Sequence, residues 1–188
     1  MTVRRVWAPA AERVELVLAS ERCEMGRAAG GWFEVGLTGA RAEADYRFSV
    51  DGGTPLPDPR SPFQPEGTEG PSRPVDLGSF TWHDDSWRPP PLAASVLYEL
   101  HVGTFTPEGT FAGVLTRVDD LLDLGVSAIE LMPIVEFPGT RGWGYDGVFP
   151  FAPHHAYGGP AGLQRLIDEC HQRGLAVVID VVYNHLGP

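Results

Sequence analysis

Two hydrophobic periods divide the chain. In the first half, apolar and polar positions alternate over short runs. RVELVLA sets Val14, Leu16 and Leu18 against Glu15 and Val17. GWFEVGL places Trp32 and Phe33 after a glycine pair, and DYRFSVDGG alternates Tyr46, Phe48 and Val50 with Arg47 and Ser49 before turning at Asp51-Gly52-Gly53. Period two with glycine punctuation predicts an antiparallel β-sandwich, with no helix between Arg13 and Val50.

From Ser95 the period lengthens. SVLYELHVG, VSAIELMP and LAVVIDVV read as strands, the third over Leu175 to Val182. They are apolar enough to be buried on both faces of a parallel sheet. TFAGVLTRVDDLLDLG puts Phe111, Val114, Leu115, Val118, Leu121 and Leu122 at helical spacing, with Gly125 just past the end. GPAGLQRLIDECHQRG does the same with Leu163, Leu166, Ile167 and Cys170; Pro160 suits the first turn and Gly174 the exit. Strand, helix, strand, helix, strand opens an α/β unit. Between the halves, Pro55 to Pro91 is too proline-rich for central sheet. It reads as a surface connection with one extended piece around Val75 to Trp82. The triple proline Pro89-Pro90-Pro91 places the boundary, giving domains at residues 1–89 and 90–188.

Composition narrows the partners. The 188 residues carry a net charge of −11, a poor match for nucleic acid or an anionic membrane. Two distant cysteines, Cys23 and Cys170, read as free thiols in a reducing compartment. The N-terminus has no signal-peptide core, so a cytoplasmic location is expected.

One connection is far longer than a strand-to-helix loop needs. Between Pro133 and Gly159 it contains GWGYDGVFPFAPHHAYGGP. Trp143, Tyr145, Phe149, Phe151 and Tyr157 offer flat apolar faces, while Asp146, His154 and His155 offer hydrogen-bonding groups. That mixture suits sugars, though composition alone favours an Ω-loop packed by its own aromatics. The loop leaves the C-terminal end of a parallel strand, where such folds place their sites. Asp180, Asn184 and His185 cluster at the end of the third strand. Singly they also fit a carboxylate capping backbone and a satisfied loop histidine. Nothing resembles a nucleophile elbow or a phosphate-binding glycine loop. Adjacent His154 and His155 rarely converge on one ion and have no third ligand nearby in sequence, so no metal is expected, nor any cofactor.

At this point DVVYNH, Asp180 to His185, resembles the first signature region of the α-amylase superfamily, glycoside hydrolase family thirteen. WGYDGVFPFAP is similar to the loop after the second barrel strand in its branching and debranching members. YELHVGTFTPEGTF, Tyr98 to Phe111, together with ELMPIVEFPGTRGWGYDG, is most similar to the trehalose-releasing members, and VWAPAAERVELVL resembles the immunoglobulin-like module preceding their barrel. The resemblance implies a multidomain β plus α/β fold. An immunoglobulin-like β-sandwich would precede the first three strands of a (β/α)8 TIM barrel, left incomplete in this chain.

The implied activity is retaining hydrolysis of an α-glucan, a maltooligosyl chain ending in trehalose. Tyr145 matches the tyrosine that stacks on the sugar preceding the cut, and His185 the histidine that hydrogen-bonds it. Asp146 and Trp143 join them as substrate-binding residues. Asp180 matches a carboxylate paired to an arginine, and Asn184 an asparagine that binds calcium in some members, here without a supporting ligand set. With His101 they are expected to support the site. The nucleophile, the acid/base and a third carboxylate follow later barrel strands, so no catalytic residue is expected before Pro188. The remainder of the same enzyme would be this chain's partner, and alone it is expected to be inactive and prone to pairing through its third strand. The alternatives are a branching or debranching enzyme, or a non-catalytic glucan-binding protein.

Overall fold

The computed structural model describes residues 1–19 and 21–187, so Pro188, the last residue of the expected second domain, lies outside it. The first half contains β1 (Thr2–Trp7), β2 (Val14–Leu18), β3 (Glu21–Glu24), β4 (Gly26–Arg27), β5 (Trp32–Leu37), α1 (Ala40–Glu43) and β6 (Tyr46–Val50). They form two antiparallel sheets, ordered β1-β5-β4 and β3-β2-β6. Both contribute to one apolar core containing Val14, Leu16, Phe33, Leu37 and Phe48. The free thiol of Cys23 sits in it.

Two details depart from the alternating pattern. The one-turn helix α1 lies inside the stretch expected to be free of helix. Ala-Arg-Ala-Glu is a good helix-forming run, and too short for a period-two pattern to exclude. At the end of β6, Ser49 is fully buried and Val50 is exposed. The Ser49 hydroxyl donates to the Gly53 carbonyl at 2.8 Å, inside the turn where Asp51 (φ 49°) and Gly52 (φ 75°) reverse the chain.

The second half contains β7 (Leu97–Leu100), α2 (Val102–Phe105), α3 (Phe111–Leu115), α4 (Val118–Asp123), β8 (Ala128–Leu131), β9 (Val135–Glu136), β10 (Phe149–Pro153), α5 (Gly159–Gln172) and β11 (Ala176–Ile179). β7, β8 and β11 form a parallel sheet with β8 central. One face carries Tyr98, Leu100, Ile129, Leu131 and Val177, packed against Phe111, Val114, Val118, Leu121 and Leu166. The other face carries Glu99 and Glu130, side by side in register. Burial on both faces therefore holds for none of the strands throughout: Glu99 is exposed, Glu130 is half-buried, and Val178 and Ile179 on β11 are exposed. β11 is also shorter than expected, ending at Ile179.

The helix read across residues 111–124 breaks into α3 and α4. The Thr116 hydroxyl donates to the Gly113 carbonyl at 2.7 Å, and Arg117 leaves helical geometry with ψ 2°. A threonine bonded back to its own helix competes with the next turn. The α5 stripe buries Leu166 and Cys170, and burial pushes the Cys170 thiol up to about 12. Ile167 is only half-buried. Among the described residues no helix is long and apolar enough to cross a membrane.

The connection is more than a surface strap. Leu56 and Ser72 make isolated bridges to β6, and Asp58 is buried, accepting from the Tyr46 hydroxyl at 2.7 Å. No strand forms around Val75 to Trp82; a 3-10 turn, Leu77–Ser79, stands there, capped by Asp76. Beyond it, His83 and Asp84 dock on α5. Asp168 accepts from the His83 backbone N–H at 2.7 Å and from His83 Nδ1 at 3.0 Å, while His171 Nδ1 lies 2.6 Å from Asp84. Trp87 stacks on His171 with ring centroids 3.7 Å apart.

Burial alone would raise the Asp168 carboxyl. The bonds and charge of His83, with the Gln172 amide, outweigh it and hold the group below the ordinary carboxylate value. A depressed folded pKa contributes stability above the unfolded value, and that stability is lost as pH falls through the folded value. Asp168→Asn should therefore lower unfolding stability at pH 7 by about 1–2 kcal/mol. In urea titrations the gap from the parent protein should close as pH falls below the ordinary value of 3.8. A gap unchanged by acid would show that the charge contributes nothing.

Candidate active site

Each parallel strand delivers one part of the candidate site. His101 directly follows β7. Its Nε2 lies 2.8 Å from the Gly142 carbonyl and 3.0 Å from the Tyr157 hydroxyl, and its Nδ1 lies 3.1 Å from the Thr104 hydroxyl. The carbonyl can only accept, so Nε2 carries the proton and Nδ1 accepts from Thr104. Burial pushes the Tyr157 phenol up to about 12. A cavity of about 560 Å³ opens here, lined by His101, Thr104, Thr140, Arg141, Trp143 and Tyr157 among others.

The long connection after β8 is a hairpin rather than an open loop, since β9 and β10 pair antiparallel. GWGYDG forms its outer part. Gly144 has φ 87°, and a Cβ there would sit 2.0 Å from the Pro133 carbonyl oxygen. A Cβ on Gly147 would sit 2.3 Å from Val135. The glycines press the loop against the chain leaving β8, and residues flanking Gly144 are turned out. Trp143 is 70% exposed and Tyr145 42%. Asp146 is exposed and makes no side-chain hydrogen bond among the described residues.

The segment after β11 is stitched to this loop. The Asp180 N–H continues the ladder to the Leu131 carbonyl at 2.9 Å, and its carboxylate accepts from the Tyr145 hydroxyl at 3.4 Å. His185 Nε2 donates to the Tyr145 carbonyl at 2.8 Å, and the Asn184 amide donates to His185 Nδ1 at 2.8 Å. Gly187 N–H donates to the Gly147 carbonyl at 2.8 Å. The Tyr145 phenol is raised, first by loss of solvent, then by the charge and hydrogen bond of Asp180, with Glu99 and Glu130 adding to it.

The candidate residues thus fall in two neighbouring places. Tyr145, Asp180, Asn184 and His185 are bonded together, whereas Trp143 stands beside His101, ring centroids 5.8 Å apart. No arginine pairs with Asp180 among the described residues. What the arrangement offers is binding chemistry: aromatic faces edged by carboxylates and a histidine.

One group escaped the sequence reading. Glu136, in β9, is fully buried and accepts from the His155 backbone N–H and from His155 Nδ1, both at 2.8 Å. His154 Nδ1 lies 3.4 Å from the same carboxylate. The two histidines therefore do converge, and a third ligand-type group stands with them, each offering one such atom within 4.8 Å of the others. The signal was a lone glutamate between Val135 and Phe137 in an apolar run, since unpaired charges are seldom buried.

The family model of the alpha-amylase catalytic domain matches residues 64–188. The chain belongs to the alpha-amylase family. It is similar to the malto-oligosyltrehalose trehalohydrolase of Arthrobacter ramosus, with 51% identity over 97% of this chain and 32% of that protein. It therefore spans about a third of the length of the curated relatives it matches. A crystal structure of a putative alpha amylase from Salmonella typhimurium superposes with a TM-score of 0.93 at 44% identity, covering 99% of this chain and 32% of that one. A Paenibacillus barengoltzii pullulanase in complex with maltohexaose and alpha-cyclodextrin reaches 0.82 at 26% identity, over 98% and 36%. Within this alpha-amylase family chain, the glycine contacts place the loop carrying Tyr145.

Gly144→Ala should lower the thermal midpoint of the protein by well over the effect of Gly139→Ala. Both glycines have positive φ, but a Cβ at Gly139 meets nothing within 4 Å. Left-handed strain alone costs about 1–2 kcal/mol; the backbone clash at Gly144 adds to it. Equal midpoints for the two variants would show that the loop yields freely.

Proposed function

We propose that the complete protein is a retaining glycosidase that hydrolyses the α-1,4 bond next to terminal trehalose in a maltooligosyltrehalose, releasing trehalose. The observation that carries this reading is the 51% identity, sustained over 97% of the chain, to a malto-oligosyltrehalose trehalohydrolase. The nucleophile and acid/base lie outside residues 1–188 in this proposal, and Asp180 is not one of them. Its carboxylate is engaged by Tyr145, which suits a residue that holds the site together.

Tyr145 supplies the face for the sugar preceding the cut, with Asp146 next to it in the loop, and Trp143 extends the binding surface at the neighbouring cavity beside His101. Asn184 fixes the His185 ring, and His101 holds the base of the loop. His185 reaches a sugar hydroxyl by releasing the Tyr145 carbonyl. The α-glucan is the partner substrate. Residues 1–89 form an immunoglobulin-like module in this reading, supported by two antiparallel sheets over one core. Residues 90–188 form the first part of a (β/α)8 barrel, supported by three parallel strands with helices between them.

The test is product analysis of the complete protein on maltooligosyltrehalose and on branched glucan. Free trehalose from the first is expected; chain transfer or α-1,6 cleavage without trehalose release would overturn the reading. His185→Ala should lower kcat by about tenfold or more with a smaller change in KM, because its contact strengthens as the sugar distorts. Unchanged turnover would remove His185 from the site.

A further inference from the structure

The Glu136 cluster is not used by the site described above. Glu136 and His154 are fully buried, and the His155 side chain keeps about a fifth of its surface exposed. The carboxylate has no arginine partner among the described residues; its partners are the two histidines. Side chains of adjacent residues diverge along an extended strand. Here the chain leaves β10 at Pro153, and His154 caps a 3-10 turn over His155–Tyr157, which brings the two rings to a centroid separation of 4.7 Å.

The protons add a second, independent observation. His154 Nδ1 accepts the Ala156 N–H at 3.3 Å, so the ring proton belongs on Nε2. Nε2 is buried and has no hydrogen-bond partner among the described residues. In this tautomer Nδ1 lies 3.4 Å from a carboxylate oxygen with no proton between them, and a cation bound there would take the lone pair from the Ala156 N–H. Two adjacent acceptors repel; a cation between them is held by both.

We propose that Glu136, His154 and His155 form a binding site for one divalent transition-metal ion of the zinc type. Two imidazole nitrogens and a carboxylate select such an ion over calcium or magnesium, which take oxygen ligands. Bonds of about 2.0–2.2 Å set ligand atoms roughly 3–4 Å apart, so small side-chain rotations close the set onto one ion. His155 exchanges its Nδ1–H bond to Glu136 for a metal bond through Nδ1, and its ring proton moves to Nε2. The His155 backbone N–H continues to donate to the carboxylate. The ion would tie β9 to the turn after β10, closing the base of the hairpin that carries Trp143, Tyr145 and Asp146. The site is structural, and no step of sugar cleavage runs through it.

The test is calorimetric titration of the chelator-stripped complete protein with Zn²⁺, with Co²⁺ as the spectroscopic probe. One equivalent bound with micromolar or tighter affinity is expected, together with a higher thermal midpoint. Cobalt bands should lack thiolate charge transfer. His155→Gln should weaken binding at least tenfold, and Glu136→Gln should do the same where it folds. His83→Gln, at a separate histidine–carboxylate pair, should leave binding unchanged. No binding, binding unaffected by His155→Gln, or thiolate bands pointing to Cys23 or Cys170 would each overturn the proposal.

Discussion

The in-step pairing of β8 with both its neighbours governs the rest of the structure. Ala128 to Leu131 pair with Leu97 to Leu100 on one side and Ala176 to Ile179 on the other. A slip of one residue would drive Glu130, or Glu99 if β7 moved instead, into the layer where Phe111, Val118 and Leu166 pack. Burying an unpaired carboxylate there would cost far more than any single contact returns. The apolar face therefore locks the register, and the register aligns three strand ends. His101, the hairpin and Asp180 emerge side by side because the strands that carry them end together.

The connection between the halves is held by groups from both. The Asp58 backbone N–H donates to Ser72, and Asp58 accepts from Tyr46 in β6. Arg60 lies over the rings of both Trp32 and Phe151, the first in β5 and the second in β10. Farther on, His83 and Asp84 exchange partners with Asp168 and His171 on α5, so adjacent residues of the connection match residues one turn apart on the helix. Prolines restrict the unfolded segment, which lowers the entropy lost when it is ordered.

Legibility in the sequence followed the length over which one force acts. Helical spacing over residues 111–124 and 160–174 identified the buried stripes, because packing acts along the whole element. It missed the break at Thr116, which depends on one hydroxyl choosing one carbonyl. Apolar strands identified the parallel sheet, yet one register step that pairs two glutamates, Glu99 and Glu130, marked an open face and was passed over. In GWGYDG the aromatic faces of Trp143 and Tyr145 were readable from the length and composition of the loop. Their division between two places was not, because it depends on long-range bonds from Asp180, His185 and Gly187. The convergence of His154 and His155 was hidden for a similar reason: a 3-10 turn begins between them.

The bonds around His185 bear on how such a site would use it. Both ring nitrogens are engaged, Nδ1 by Asn184 and Nε2 by the Tyr145 carbonyl. A sugar hydroxyl that takes Nε2 therefore exchanges one neutral hydrogen bond for another, and the net ground-state gain is small. The same exchange would free the Tyr145 backbone carbonyl, on the loop that Gly144 holds against Pro133. In that reading, sugar contact and loop position would be linked through one nitrogen. A hydrogen bond of small net value in the ground state would raise turnover only if it strengthened in the transition state.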